Sequence, residues 1–177
     1  CDMASEFRYR DPVIDSNALC IFVSQSGETA DTKAAVDYCR DRKIKTLSIV
    51  NVKNSSIARD SDYCLYTKAG AEIGVASTKA FTAQLSVLLS MAIHLATLKK
   101  SITIDDNKKI CKEAMLATQL LEQAIERSYA LKDVAKNITK AKGVMYLGRG
   151  TSFPLALEGA LKSVSYTHLT LPTNDVV

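Results

Sequence analysis

The chain has 177 residues, 47% of them hydrophobic and 24% charged, the balance of a folded protein with one or two cores, which excludes a disordered chain. Its formal net charge is +4, with Lys and Arg interspersed among Asp and Glu, so no basic block marks a nucleic-acid or membrane footprint, and the surface suits small anions. The five cysteines, Cys1, Cys20, Cys39, Cys64 and Cys111, show no C-x-x-C or Cys/His ligand spacing and read as buried free thiols of a reducing compartment.

The N-terminus carries no charged segment followed by an apolar core, hence no secretory signal pattern. The chain opens on Cys1 rather than Met and reads as the interior of a longer protein. Residues 2–9 are expected to add an edge strand. Ala18-Leu-Cys-Ile-Phe-Val23 is a continuous apolar run that ends in Ser-Gln-Ser-Gly, and residues 32–42 follow with helical spacing at Ala35, Val36 and Cys39, which predicts strand, turn and helix. Thr46-Leu-Ser-Ile-Val-Asn-Val52 and Tyr63-Cys-Leu-Tyr-Thr67 predict two more strands, with a polar Asn54-Ser-Ser segment and a short helix between them. Buried strands joined by helices imply a parallel sheet with helices on both faces.

Residues 77–100 are expected to form one helix. Its most apolar part, residues 80–98, is interrupted by Thr82, Gln84, Ser86, Ser90, His94 and Thr97, too polar for a comfortable membrane span, and reads as a buried helix. A second helix is expected from about 105 to 127, with Ile110, Ala114, Ala117, Leu121 and Ala124 on one stripe. A third continues through Leu131, Val134, Ala135 and Ile138. Gly143-Val-Met-Tyr-Leu147 then predicts a strand, Gly148-Arg-Gly150 a turn, and Ser152 the cap of a helix with Pro154 in its first turn.

Two loops at strand ends draw functional interest, because ligands of parallel α/β folds bind at the carboxyl edge of the sheet. Ser24-Gln25-Ser26-Gly27-Glu28-Thr29 offers three hydroxyls, a glycine that permits close main-chain approach, and the unsatisfied N–H groups of a helix start, together a natural phosphate site. The alternative is that Ser26 or Thr29 only caps the helix. The loop has no Lys and no G-x-x-x-x-G-K-[ST] pattern, which argues against a nucleoside triphosphate. In the second loop, Gly70-Ala-Glu-Ile-Gly-Val-Ala-Ser-Thr-Lys79, Ser77 and Thr78 either offer hydroxyls to a sugar or act as N-caps. Glu72 and Lys79 read as surface or ion-pair residues, and His94 as a core or interface residue.

Read together, Ala4-Ser-Glu-Phe-Arg-Tyr9, Ser24-Gln-Ser-Gly-Glu-Thr-Ala-Asp-Thr32 and Ala71-Glu-Ile-Gly-Val-Ala-Ser-Thr-Lys-Ala-Phe81 resemble the first sugar-isomerase (SIS) domain of the glutamine–fructose-6-phosphate aminotransferases. Leu147-Gly-Arg-Gly150 and Ala156-Leu-Glu-Gly-Ala-Leu-Lys162 resemble the opening of the second. The resemblance covers about residues 2–162. It implies an SIS-type α/β fold, a parallel sheet between helices, with a first SIS domain over residues 1–100 lacking its first strand. Linker helices over 101–141 and the start of a second SIS domain over 142–162 would follow. By the same resemblance, Ser24, Gln25, Ser26 and Thr29 would bind the phosphate of fructose-6-phosphate, Val75 and Ser77 would line the sugar, and Lys162 would be the catalytic lysine near the reacting carbons.

The implied partners are fructose-6-phosphate or glucosamine-6-phosphate, a glutaminase domain in the parent protein, and a second copy in a homodimer. No nucleic acid, membrane, metal or organic cofactor is implied, and the setting is cytoplasmic. A non-catalytic phosphosugar-binding regulator module and a simple sugar-phosphate isomerase are the rival readings. Beyond Lys162 the pattern departs: Ser165 stands where the family has its proton-transferring glutamate. Val164-Ser-Tyr-Thr-His-Leu-Thr-Leu-Pro-Thr173 is what one reading frame of a transposon mosaic-end sequencing adapter encodes. Residues 163–177 are therefore set apart from fold reasoning, His168 with them, and the chain by itself is expected to be inactive as an isomerase.

Overall fold

The computed structural model of the chain describes residues 1–73 and 77–167, with only the backbone of 165–167. It divides into two compact units, Cys1–Ala92 and Ile93–Val177. The first holds a three-stranded parallel sheet in the order β1-β2-β3, formed by β1 (Leu19–Ser24), β2 (Lys45–Val50) and β3 (Tyr63–Tyr66). The strands align Phe22 with Ser48 and Ser48 with Cys64, so side chains alternate between two faces in step across the sheet. Cys20, Phe22, Val50, Cys64 and Tyr66 face one way. There they meet α2 (Ala30–Asp41) and α3 (Ser56–Asp60) in a core centred on Ala35, Val36, Cys39, Ile44 and Ile57. Burying Val36 and Ile57 completely contributes about 1.5–3 kcal/mol each. Lys33 ties the two helices, with its ammonium 2.6 Å from Asp37 and 2.9 Å from Asp60.

Three expectations for this unit change. Residues 2–9 form a short helix, α1 (Ala4–Phe7), and a 3-10 turn over Arg8–Arg10, not an edge strand. Ala4 and Phe7, three apart, both reach the core, and Phe7 meets Tyr38 edge-on at 5.6 Å between ring centroids, contacts that a period of two cannot make. Among the described residues, helices cover one face of the sheet. Opposite the core, Leu19, Ile21, Val23, Tyr63 and Leu65 stay exposed and only the central Ile49 is buried. The cysteines are all free, but Cys39 is the only fully buried one; Cys1 and Cys111 are exposed, and Cys20 and Cys64 are half-buried. Burial pushes the Cys39 thiol up to about 12, which keeps it protonated and unreactive.

α4 (Lys79–Leu98) ends where Lys100 adopts a left-handed φ of 55° and the Ser101 N–H closes on the Ala96 carbonyl at 2.8 Å. It was expected to be buried, yet Ala80 is its only buried residue, and Leu85, Leu89 and Leu95 are each more than 40% exposed. Its 20 residues, with a mean hydropathy of 1.6 over the most apolar 18, are enough, by length and composition, to cross a membrane. The covering surface that such a helix needs is not supplied by the described residues.

In the second unit, α5 (Ile104–Arg127) starts with a capping box in which the Thr103 hydroxyl and the Asp106 carboxylate each satisfy the other's backbone N–H. A 3-10 turn (Ser128–Leu131), α6 (Lys132–Ile138) and α7 (Ser152–Thr167) follow. The strand expected at residues 143–147 does not form. The segment pairs with no described strand, and Met145 and Leu147 are about four-fifths exposed; a strand needs a neighbour to take its backbone groups. α7 begins at Ser152 itself, so Thr151 rather than Ser152 occupies the cap position, with Pro154 in the first turn as expected. The helix also continues past Lys162 to Thr167, into the residues set apart from fold reasoning.

Candidate functional site

β1 ends at Ser24, and residues 25–29 turn at the carboxyl edge of the sheet into α2. Thr29 stands at the N-cap position of α2 but makes no side-chain cap bond; its Oγ1 lies 3.1 Å from Ser24 Oγ instead. Gly27 N–H donates to Ser24 Oγ at 3.0 Å, and Glu28 N–H donates to Ser26 Oγ at 3.1 Å. The simple capping alternative therefore fails for both Ser26 and Thr29. One hydroxyl proton is used within the Ser24–Thr29 pair. The proton of Ser26 and that of the pair's other member remain to donate, from hydroxyls whose lone pairs are already engaged. Behind them stands the N-terminus of a twelve-residue helix that no side chain caps among the described residues. This is the charge pattern that receives an anion.

Gly27 has a left-handed φ of +67°, and a Cβ built on it would lie 2.0 Å from Ser55 Oγ. Only glycine fits this position. Gln25 accepts the Asn51 N–H at its carbonyl, 3.1 Å away. The Asn51 side chain then reaches the next loop, donating to the Gly70 carbonyl at 2.6 Å and accepting from Ala69 N–H at 2.9 Å and Thr67 Oγ1 at 3.1 Å. One residue at the end of β2 thus holds both loops. A cavity of about 660 Å³ opens between them, lined among others by Gln25, Asn51, Lys53, Lys68 and Glu72, and its two lysines favour a negatively charged guest.

The second loop gives Glu72 a role that the sequence reading missed. Its carboxylate accepts Thr78 N–H at 3.1 Å, Thr78 Oγ1 at 2.8 Å and Ala80 N–H at 2.9 Å, so it caps α4 from outside the helix. The Thr78 hydroxyl and amide bonds, with the Ala80 amide, hold the Glu72 carboxyl below the usual carboxylate value. Thr78 is part of this cap and is not free for a sugar. Ser77 is not a cap: its Oγ is buried and has no hydrogen-bond partner among the described residues. Val75 lies outside the described residues. Lys162 belongs to the second unit, on α7, where its ammonium is 2.6 Å from Glu158 one turn earlier, both side chains about a quarter exposed. Among the expected site residues, the structure joins Ser24, Gln25, Ser26 and Thr29 into one loop. The sequence signal for Glu28, Asn51 and Glu72 was weak, since each acts through groups distant along the chain.

Parallel strands with a hydroxyl-rich turn at their carboxyl edge, leading into a helix, define an α/β domain of the parallel-sheet class. The chain belongs to the SIS domain family, whose model matches residues 2–94. A glutamine–fructose-6-phosphate aminotransferase (isomerizing) of Bartonella henselae is 48% identical over 169 residues, covering 94% of this chain and 28% of its own length. One from Bradyrhizobium diazoefficiens matches with the same identity and coverage. The solved C-terminal domain of glucosamine-fructose-6-phosphate aminotransferase from Francisella tularensis superposes with a TM-score of 0.89 at 39% identity, covering 93% of this chain and 47% of that one. The chain therefore spans less than a third of the length of the curated relatives it matches.

Proposed function

We propose that the chain is the phosphosugar-anchoring part of an isomerase half of the aminotransferase type, binding fructose-6-phosphate or glucosamine-6-phosphate through residues 24–29. The loop carries this reading: two hydroxyl protons and the start of α2 converge where no side chain among the described residues answers them. Ser24, Gln25, Ser26 and Thr29 hold the phosphate, Val75 and Ser77 face the sugar, and Lys162 serves the reacting carbons. The Ser77 hydroxyl, without a hydrogen-bond partner among the described residues, suits contact with a polyol. In the parent protein a glutaminase domain supplies ammonia and two copies associate. The setting is cytoplasmic, and α4 is a core helix of the complete enzyme, since the family match runs to residue 94.

Calorimetry of the chain with fructose-6-phosphate tests the loop. Replacing Ser26 and Thr29 together by Ala should weaken binding by about 1–3 kcal/mol, the scale of charge-assisted hydrogen bonds; unchanged affinity would remove the loop from the site. Given ammonia as well, the unsubstituted chain should form no glucosamine-6-phosphate. Ser165 replaces the carboxylate base of the family, and loss of a general base costs about 10²- to 10⁴-fold.

A further inference from the structure

Ser55 stands at the N-cap position of α3, with extended φ and ψ of −63° and 160°, but makes no side-chain cap bond. The phosphate loop caps this helix instead. Glu28 Oε1 accepts the Ser56 N–H at 2.7 Å, and the Gly27 carbonyl accepts the Ile57 N–H at 3.0 Å. Both amides would otherwise be orphans of the first turn. Ile57 is completely buried in the core, and Asp60 at the other end of α3 is bound to Lys33 of α2 at 2.9 Å, so the support beneath the loop is fixed at both ends. Gly27 lies against Ser55 with no space for a side chain between them.

We infer that Glu28 is a positioning residue for the ligand loop: by capping α3 it fixes the backbone from which the Ser24, Ser26 and Thr29 hydroxyls are presented. The inference rests on the reading of that loop as the phosphosugar site. Two features support a geometric role over a ligand contact. The Glu28 carboxylate is turned to the Ser56 amide, and that bond, helped by the Ser56 hydroxyl and by Arg59, holds its carboxyl below the usual carboxylate value. A bare carboxylate beside an anion site would also repel the anion; here its charge is committed to the helix start. The Glu28 N–H in turn holds Ser26 Oγ at 3.1 Å, so the residue links the cap to a hydroxyl that faces the ligand. Without the cap, ordering the loop would have to be done by the ligand, at the expense of affinity.

The test uses the 177-residue chain and its E28A and E28Q variants, with fructose-6-phosphate titrated by calorimetry and amide hydrogen exchange followed without ligand. E28A should bind about tenfold more weakly, and E28Q, which keeps a carbonyl acceptor for Ser56, should recover to within about threefold of the parent chain. Exchange at Ser56 should accelerate in E28A and stay slow in E28Q, with Val36 and Ile49 unchanged in both. Parent-like binding by E28A, or E28Q as weak as E28A, would overturn the role, and so would loss of protection at Val36 and Ile49, which would make Glu28 a residue of the fold alone. Absence of binding by the unsubstituted chain would overturn the phosphosugar reading, and the cap on α3 would then be judged on the exchange of Ser56.

Discussion

Ser55 shows what a residue relinquishes when a distant segment takes over its task. Its side chain is 3% exposed, and its hydroxyl has no hydrogen-bond partner among the described residues. A serine at an N-cap normally bonds the N2 or N3 amide, but Gly27 and Glu28 occupy the helix start. A buried, unbonded hydroxyl carries its desolvation cost without return. Ser55→Ala should therefore stabilise the chain by about 1 kcal/mol, measured as a shift in urea unfolding followed by circular dichroism. A loss of stability of similar size would mean that the hydroxyl is bonded in solution and that the orphan is an incorrect description. The neighbouring Gly27 does not permit the reverse change, because a side chain there would meet both Ser55 Oγ and Ser55 Cβ within 2.6 Å.

Helix starts are secured in two ways here. α5 carries its own signal, Thr103 and Asp106 three residues apart, and would be capped in any tertiary setting. α4 depends on Glu72, six and eight residues before the amides it accepts. Because the folded-state value of Glu72 is lowered from 4.5, the stability it adds is fully present above that unfolded-state value and is lost as pH falls through the lower folded one. Titrated from pH 6 to pH 3, the start of α4 should fray in the parent chain, read as a falling exchange protection factor at Ala80, the observed rate being corrected for the intrinsic pH dependence of amide exchange. In E72Q, which has one acceptor oxygen and no charge, the protection factor at Ala80 should already be low at pH 6 and nearly independent of pH. Equal pH dependence in both proteins would assign the acid effect to other carboxylates.

At the level of the molecule, the exposed apolar surface is the dominant fact. One face of the sheet shows Leu19, Ile21, Val23 and Leu65, and α5 shows Met115, Leu116, Leu120, Leu121 and Ile125, each at least 38% exposed. Contiguous patches of this kind are interfaces or liabilities, and β1 lies at the edge of the described sheet, where a strand is open to pairing. Expressed alone, the chain should elute from size exclusion as concentration-dependent assemblies and bind a hydrophobic dye. A monodisperse, cooperatively melting monomer that binds no dye would show that these faces are closed in solution by an arrangement other than the one described.

The sequence by itself determined the three strands of the sheet, the turn at residues 24–29, most helices and the order in which they come, because apolar period and turn chemistry are local quantities. Phe22 and Val23, or Ala35, Val36 and Cys39, declare their element within a few residues. The hydroxyl-rich turn was readable for the same reason: Ser24, Gln25, Ser26 and Thr29 lie close together along the chain. The tertiary structure decided what depends on a partner. Residues 2–9 became helical because Ala4 and Phe7 both find the core, and residues 143–147 formed no strand because no described neighbour accepts their backbone groups. α4 was left exposed because burial belongs to whatever packs on a helix and not to its composition. Glu28 and the Ser56 amide that it caps are 28 residues apart, and Asn51 reaches across 16 to 19 residues to Thr67, Ala69 and Gly70. Such bonds leave no period in the chain, since they exist only after the sheet has brought its carboxyl ends together.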